Sequence, residues 1–127
     1  MRIISTRVHG ILDYLVGILL IAAPWIFGFA FGGAETYVPV ALGISAIVYS
    51  LCTNYELGAF HLIPMPAHLW LDLLSGIFLA ASPWLFGFHE KVYLPHLLAG
   101  VTEIIVSLLT QRKPFINAAP KTNSAST

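Results

Sequence analysis

Charged side chains are scarce in this chain of 127 residues: only 9% are Asp, Glu, Lys or Arg. An ordinary soluble domain carries roughly 25%. Hydrophobic residues make up 57% of the chain, which is more apolar surface than a soluble domain of this length can bury, so lipid must cover part of it. The formal net charge is zero, which argues against a nucleic-acid partner.

Cysteine is almost lacking as well. Cys52 is the only one in the sequence, so an intrachain disulfide is excluded. We interpret Cys52 as an inert, small hydrophobic residue of a helix. We expect no cofactor.

The chain contains an internal repeat. Residues 9–29, HGILDYLVGILLIAAPWIFGF, and residues 68–88, HLWLDLLSGIFLAASPWLFGF, align at a shift of 59 positions. So many identities at one shift indicate two copies of one structural unit. The matched pairs are His9 and His68, Asp13 and Asp72, Gly17 and Gly76, Pro24 and Pro83, Trp25 and Trp84, Phe27 and Phe86, Gly28 and Gly87, and Phe29 and Phe88.

Four apolar stretches predict four transmembrane helices, because about 20 apolar residues cross a bilayer. They lie near residues 14–34, 36–55, 67–88 and 93–110. The first stretch is not a signal peptide, since the same element recurs in mid-chain. The predicted fold is all-α, a four-helix transmembrane bundle built from two parallel helical-hairpin repeats.

One membrane domain is expected over residues 1–112, with the first repeat at about 8–58 and the second at about 66–112. The composition of residues 113–127 predicts a disordered tail. Positive charges gather near cytoplasmic helix ends, and the loop between the third and fourth helices has only Lys91. Both termini and the tail are therefore predicted to be cytoplasmic and the protein to lie in the cell membrane. The terminal charges are Arg2, Arg7, Arg112, Lys113 and Lys121.

A three-residue motif closes the first helix of each repeat. The second copy reads Ser82-Pro83-Trp84, and the first reads Ala23-Pro24-Trp25, without the serine. Two hairpins carrying this motif resemble the SPW repeat family of small membrane proteins over about residues 9–111. The resemblance implies an integral membrane protein of several helices and no established activity.

Each proline of the motif removes one helical hydrogen bond, which frees the carbonyl of Leu20 or Leu79. Ser82 can bond back to the preceding turn. The kinks then either improve packing or open a cavity between the hairpins.

Aromatic residues are predicted to form belts at both membrane surfaces. Small residues four apart, such as Gly28 and Gly32, predict close helix packing. The outer belt would contain Trp25, Phe27, Phe29, Tyr37, Trp84, Phe86, Phe88 and Tyr93, and the inner belt Tyr14, Tyr55 and Trp70.

The repeated pairs His9 with Asp13 and His68 with Asp72 are the main candidates for a functional site. Residues four apart share one helix face, and the repeat allows both pairs to meet at a central axis. Three interpretations remain open: hydrogen bonds that only support the structure, a divalent-metal site, or a relay for protons or small solutes.

Glu103 is a further candidate because it lies well inside the fourth predicted helix. Aligning Gly43 with Gly100 places Ala46 opposite it, so it breaks the repeat. A carboxyl group at such a depth either has a function or belongs to a protonated or hydrogen-bonded structural glutamate, with His96 or His68 as expected partners.

These observations favour a non-catalytic membrane scaffold or accessory subunit. Its expected partners are the lipid bilayer and either another membrane protein or further copies of itself. The alternative is a proton or small-solute transporter that uses the His/Asp pairs and Glu103. An enzyme is not expected, because no nucleophile or substrate motif accompanies the pairs.

Overall fold

A computed structural model describes residues 2–114, which fold into four helices without a sheet. Helix α1 spans Thr6–Ile26, α2 spans Ala34–Leu51, α3 spans Met65–Leu85 and α4 spans Leu94–Leu109. The predicted all-α four-helix fold is confirmed. Residues 115–127 of the predicted tail lie outside the described residues.

The helices α1 and α3 end in the same way. Each is followed by a glycine with a positive φ angle, 72° at Gly28 and 71° at Gly87, a conformation that glycine adopts without strain. The prediction that Gly28 and Gly32 pack against a helix is wrong. Gly32 also has a positive φ, and a Cβ atom at either glycine would meet nothing within 4 Å.

Three of the helices, α1, α2 and α3, are long and apolar enough to cross a membrane. The 21 residues of α1 and of α3 extend about 32 Å at 1.5 Å per residue. Helix α4 has 16 residues, or about 24 Å, which is less than the roughly 30 Å of a hydrocarbon core. It is therefore shorter than the predicted span of residues 93–110.

The closest packing is within the hairpins, between α1 and α2 and between α3 and α4. Glycines allow the two backbones to approach each other. A Cβ atom at Gly43 would lie 2.6 Å from the carbonyl oxygen of Gly17, and one at Gly76 would lie 2.8 Å from that of Gly100. Both distances are too short for a real side chain, so each hairpin depends on its glycine pair.

Short backbone contacts connect each hairpin to the other at one end of the bundle. The Ile4 N–H donates to Leu109 O at 2.9 Å, and the Ile63 N–H donates to Cys52 O at 2.8 Å. The starts of α1 and α3 therefore lie beside the ends of α4 and α2, so the hairpins run parallel. We call this end the terminal end and the opposite end the loop end.

The aromatic residues at the loop end divide into exposed and buried sets. Phe29 and Phe88 are buried, so their predicted place in a belt is wrong. Tyr55 is completely buried at the terminal end, which also contradicts the predicted belt. The exposed set includes Trp25, Phe27, Tyr37, Trp84, Phe86 and Tyr93 at the loop end, and Trp70 at the terminal end.

Candidate functional site

The two His/Asp pairs meet at the terminal end of the bundle. His9 Nε2 lies 2.6 Å from Asp72 Oδ2, and His68 Nε2 lies 3.1 Å from Asp13 Oδ2, so each histidine contacts the carboxylate of the other repeat. Contacts within each repeat are of similar length, 3.0 Å for His9 with Asp13 and 3.1 Å for His68 with Asp72. We call these four residues the His/Asp cluster.

The sequence determines this convergence through helix geometry. In each repeat the aspartate follows the histidine by four residues near the start of a helix, so both side chains lie on one face. Because α1 and α3 begin at the same end, these faces meet between the hairpins. All four side chains are buried, with exposed fractions from 0% to 9%.

Two threonine hydroxyls are hydrogen-bonded to the Nδ1 atoms of the histidine rings. Thr110 Oγ1 lies 2.7 Å from His9 Nδ1, and Thr53 Oγ1 lies 2.7 Å from His68 Nδ1. Each hydroxyl donates its single hydrogen to a backbone carbonyl one turn earlier, of Val106 and of Tyr49, at 2.6 Å. The threonine oxygens therefore accept from the rings, and both histidines carry a hydrogen on Nδ1.

Two tyrosines donate hydrogen bonds to the carboxylates. Tyr55 Oη donates to Asp13 Oδ2 at 2.8 Å, and Tyr49 Oη donates to Asp72 Oδ1. Burial raises the pKa of the Tyr55 hydroxyl, and the charge of Asp13 raises it further. The hydroxyl therefore keeps its proton and acts as a donor.

The His/Asp cluster combines two carboxylates with two ring nitrogens in a site shielded from water. Its ligand atoms all lie within 4.8 Å of one another. Uncompensated charge is costly in a buried group of this kind, so the cluster is most stable when its charges balance. A proton on each Nε2, or one divalent cation bound by all four side chains, gives that balance.

A cavity of about 70 Å³ extends from the cluster between α1 and α4. That volume can hold a few water molecules. Glu103 lines it together with His9, Asp13 and Asp72. No hydrogen bond or ion pair joins Glu103 to another described residue, so the predicted pairing with His96 or His68 is wrong.

His96 lies in a different environment near the loop end. Its Nε2 atom donates to the carbonyl oxygen of Glu35 at 2.9 Å, and its ring packs between Phe29 and Phe88 with centroid distances of 5.0 and 4.9 Å. It lines a second cavity between α1 and α4, of about 370 Å³ and bordered mainly by apolar side chains. The two cavities share Val16 and Thr102.

The SPW motif lies at the loop end, away from the His/Asp cluster. Ser82 Oγ donates to Leu79 O at 2.7 Å, which is the predicted bond to the carbonyl freed by Pro83. Ala23 stands at the matching position of α1 and has no hydroxyl. Pro24 and Pro83 are buried, whereas Trp25 and Trp84 are exposed, so the motif shapes the helix ends rather than the cluster.

The four hydroxyl residues around the cluster were not predicted from the sequence. A signal for two of them exists, because the shift of 57 positions from Gly43 to Gly100 also takes Thr53 to Thr110. No comparable signal marks the other two. Tyr49 has Val106 as its counterpart at this shift, and Tyr55 follows the end of α2.

The fold and the His/Asp cluster define a class of protein: a bundle of two parallel helical hairpins with its polar groups enclosed between them. The SPW repeat domain matches residues 7–110, and the chain belongs to this family. Family membership and the long apolar helices identify a membrane protein. Neither a curated protein nor a solved structure matches the chain.

Proposed function

We propose that this protein is a non-catalytic membrane scaffold or accessory subunit, in which the His/Asp cluster clamps the two hairpins together. The closure of the two pairs on each other carries the proposal. His9 Nε2 is hydrogen-bonded to Asp72 at 2.6 Å, and His68 Nε2 lies 3.1 Å from Asp13, so the polar groups of the two repeats lie against each other. A hydrogen-bonded cluster of this kind fixes how two helices pair within lipid.

The surroundings of the cluster support a structural role over a catalytic one. The hydroxyls of Thr53, Thr110, Tyr49 and Tyr55 are each engaged in a hydrogen bond. The outward helix faces are apolar, with exposed side chains that include Ile18, Ile44, Ile77 and Ile105. Such faces suit lipid and the helices of a membrane-protein partner or a second copy.

Vesicles that contain the purified protein and a pH-sensitive dye test this function. The scaffold role predicts that an imposed pH gradient decays at the same rate with the wild-type protein as with its Asp13→Asn variant. A faster decay with the wild type that the variant abolishes would contradict the scaffold and establish proton transport.

Transport is the second candidate because of one observation. The cavity of about 70 Å³ brings Glu103 beside His9 and Asp13, and carboxylates and histidines form proton relays in membranes. The apolar lining of the second cavity weighs against a continuous water-filled path, so we place this function second.

The proposed orientation puts both termini in the cytoplasm of a cell-membrane protein. The loop between α3 and α4 carries Lys91, whereas Arg2 and Arg7 precede or begin α1. A cysteine at position 91 should react with an impermeant label in intact cells, in a background without Cys52. Labelling at position 113 instead of 91 would reverse the orientation.

A further inference from the structure

The His/Asp cluster also has the chemistry of a metal centre. We propose that it binds one divalent transition-metal ion of the zinc type, with ligands from His9, Asp13, His68 and Asp72. This inference goes beyond the proposed scaffold, which requires only that the cluster joins the hairpins.

The hydrogen bonds of the histidines prepare both Nε2 atoms as ligands. Because Thr53 and Thr110 accept from the Nδ1–H groups, the Nε2 atom is the nitrogen that faces the carboxylates in each ring. Metal-binding histidines are oriented in this way by a hydrogen bond from the other ring nitrogen. The same arrangement occurs in both repeats.

The environment of His68 Nε2 favours a metal over a proton. The atom is completely buried and makes no hydrogen bond to any described residue. It nevertheless lies 3.1 Å from Asp13 Oδ2 and 3.1 Å from Asp72 Oδ2. An N–H on this atom forms no well-aligned hydrogen bond with either oxygen, whereas an ion between the three atoms would be bound by all of them.

The carboxylates are supported as metal ligands usually are. Tyr55 donates to Asp13 and Tyr49 donates to Asp72, and such outer bonds hold ligating carboxylates in place. With two neutral imidazoles, the two carboxylates give a charge of −2. One divalent cation makes the site neutral.

The ligand set selects the kind of ion. Two nitrogens and two oxygens fit tetrahedral zinc, whose bonds of about 2.0–2.1 Å separate the ligand atoms by roughly 3.4 Å. The contacts between ring nitrogens and carboxylate oxygens are 2.6–3.1 Å, and all ligand atoms lie within 4.8 Å of one another, so small side-chain rotations that widen these contacts would admit the ion. Magnesium and calcium prefer all-oxygen sites.

The test uses the full-length protein in detergent. After chelator treatment and dialysis against zinc, we expect about one zinc ion per chain by mass spectrometry. Cobalt in place of zinc should give the strong visible absorption of a tetrahedral site. A wild-type protein that retains no zinc above the buffer level, or a cobalt complex with a weak octahedral spectrum, would overturn the proposal.

Variants establish where the ion binds. His9→Gln and His68→Gln should lose the zinc, whereas His89→Gln, the same change at an exposed loop residue, should retain it. Zinc that remains in a folded His68→Gln variant would show that the ion binds elsewhere and would overturn the assignment.

A milder variant tests the assignment of the ligands if the histidine variants do not fold. Thr110→Val keeps all four ligands and removes the oxygen that accepts from His9 Nδ1. We expect an affinity for zinc about 10–100-fold lower, as for other outer-sphere partners. An unchanged affinity would show that His9 is not a ligand.

Discussion

The two crevices between the hairpins occupy equivalent places in the repeat but are built differently. On one side α2 packs against α3, whereas on the other side α1 and α4 make few contacts. The cavity beside the His/Asp cluster is lined mainly by residues of α1 and α4. We call these two places the closed crevice and the open crevice.

Two substitutions between the repeats explain the difference. A shift of 57 positions takes Tyr49, whose hydroxyl reaches Asp72 in the closed crevice, to Val106 in the open one. The same shift takes Ala46 to Glu103. In the open crevice the smaller side chain of Val106 leaves room for a cavity, and the carboxyl group of Glu103 lines that cavity. The two repeats are therefore alike at the His/Asp cluster and differ beside it.

The largest effect is expected from breaking the cluster that both crevices share. Asp13→Asn and Asp72→Asn should each lower the free energy of unfolding by about 3 kcal/mol, because each leaves a buried partner uncompensated. The double variant should lose less than the sum, since residues in one network couple by roughly 0.5–3 kcal/mol. Unfolding of the four proteins in detergent measures both quantities.

Additive losses would contradict a shared cluster. The pair of His9 with Asp13 and the pair of His68 with Asp72 would then stabilise the protein independently of each other. The variant Glu90→Gln, at an exposed loop position, serves as the control and should change the free energy of unfolding by less than about 0.5 kcal/mol.

The next largest loss of stability is expected from disrupting the helix packing within each hairpin. Gly76→Leu should lower the free energy of unfolding by about 1–3 kcal/mol, because its side chain would overlap the backbone of Gly100. Gly17→Leu should act similarly against Ile47 and the carbonyl of Gly43. Thermal unfolding in detergent measures both, with the exposed Ala41→Leu as the control. Wild-type stability in both glycine variants would mean that these helices do not touch.

The extent to which the sequence predicts this protein differs between its symmetric and asymmetric parts. The four apolar stretches predict the four-helix fold, and the repeat of His9 and Asp13 at His68 and Asp72 predicts the members of the His/Asp cluster, since identical faces of parallel helices meet. The sequence wrongly predicts a membrane-belt position for Tyr55, because an aromatic residue near a helix end has the same pattern whether it is exposed or buried. Its burial depends on the path of residues 52–64, which no periodicity describes.

A smaller effect is expected from removing a single hydrogen bond in the closed crevice. Tyr49→Phe keeps the ring and removes the donor to Asp72, so the free energy of unfolding should fall by about 1–2 kcal/mol. The matched control is Tyr37→Phe, at an exposed position, which should have little effect. Equal losses in both variants would show that the hydroxyl of Tyr49 does not support the cluster.

The smallest effect is expected in the open crevice, from Glu103→Gln. Glu103 has no hydrogen bond or ion pair with the described residues, and the cavity beside it has room for a few water molecules. Replacing its carboxyl group with an amide therefore breaks no bond to the described residues, and the amide carries no cost of ionisation in a largely apolar place. We expect the free energy of unfolding to rise by less than about 1 kcal/mol, measured beside Glu90→Gln under the same conditions. A loss of stability as large as that of Asp13→Asn would instead show that Glu103 is bonded to the His/Asp cluster. The open crevice would then also be bridged by a polar contact.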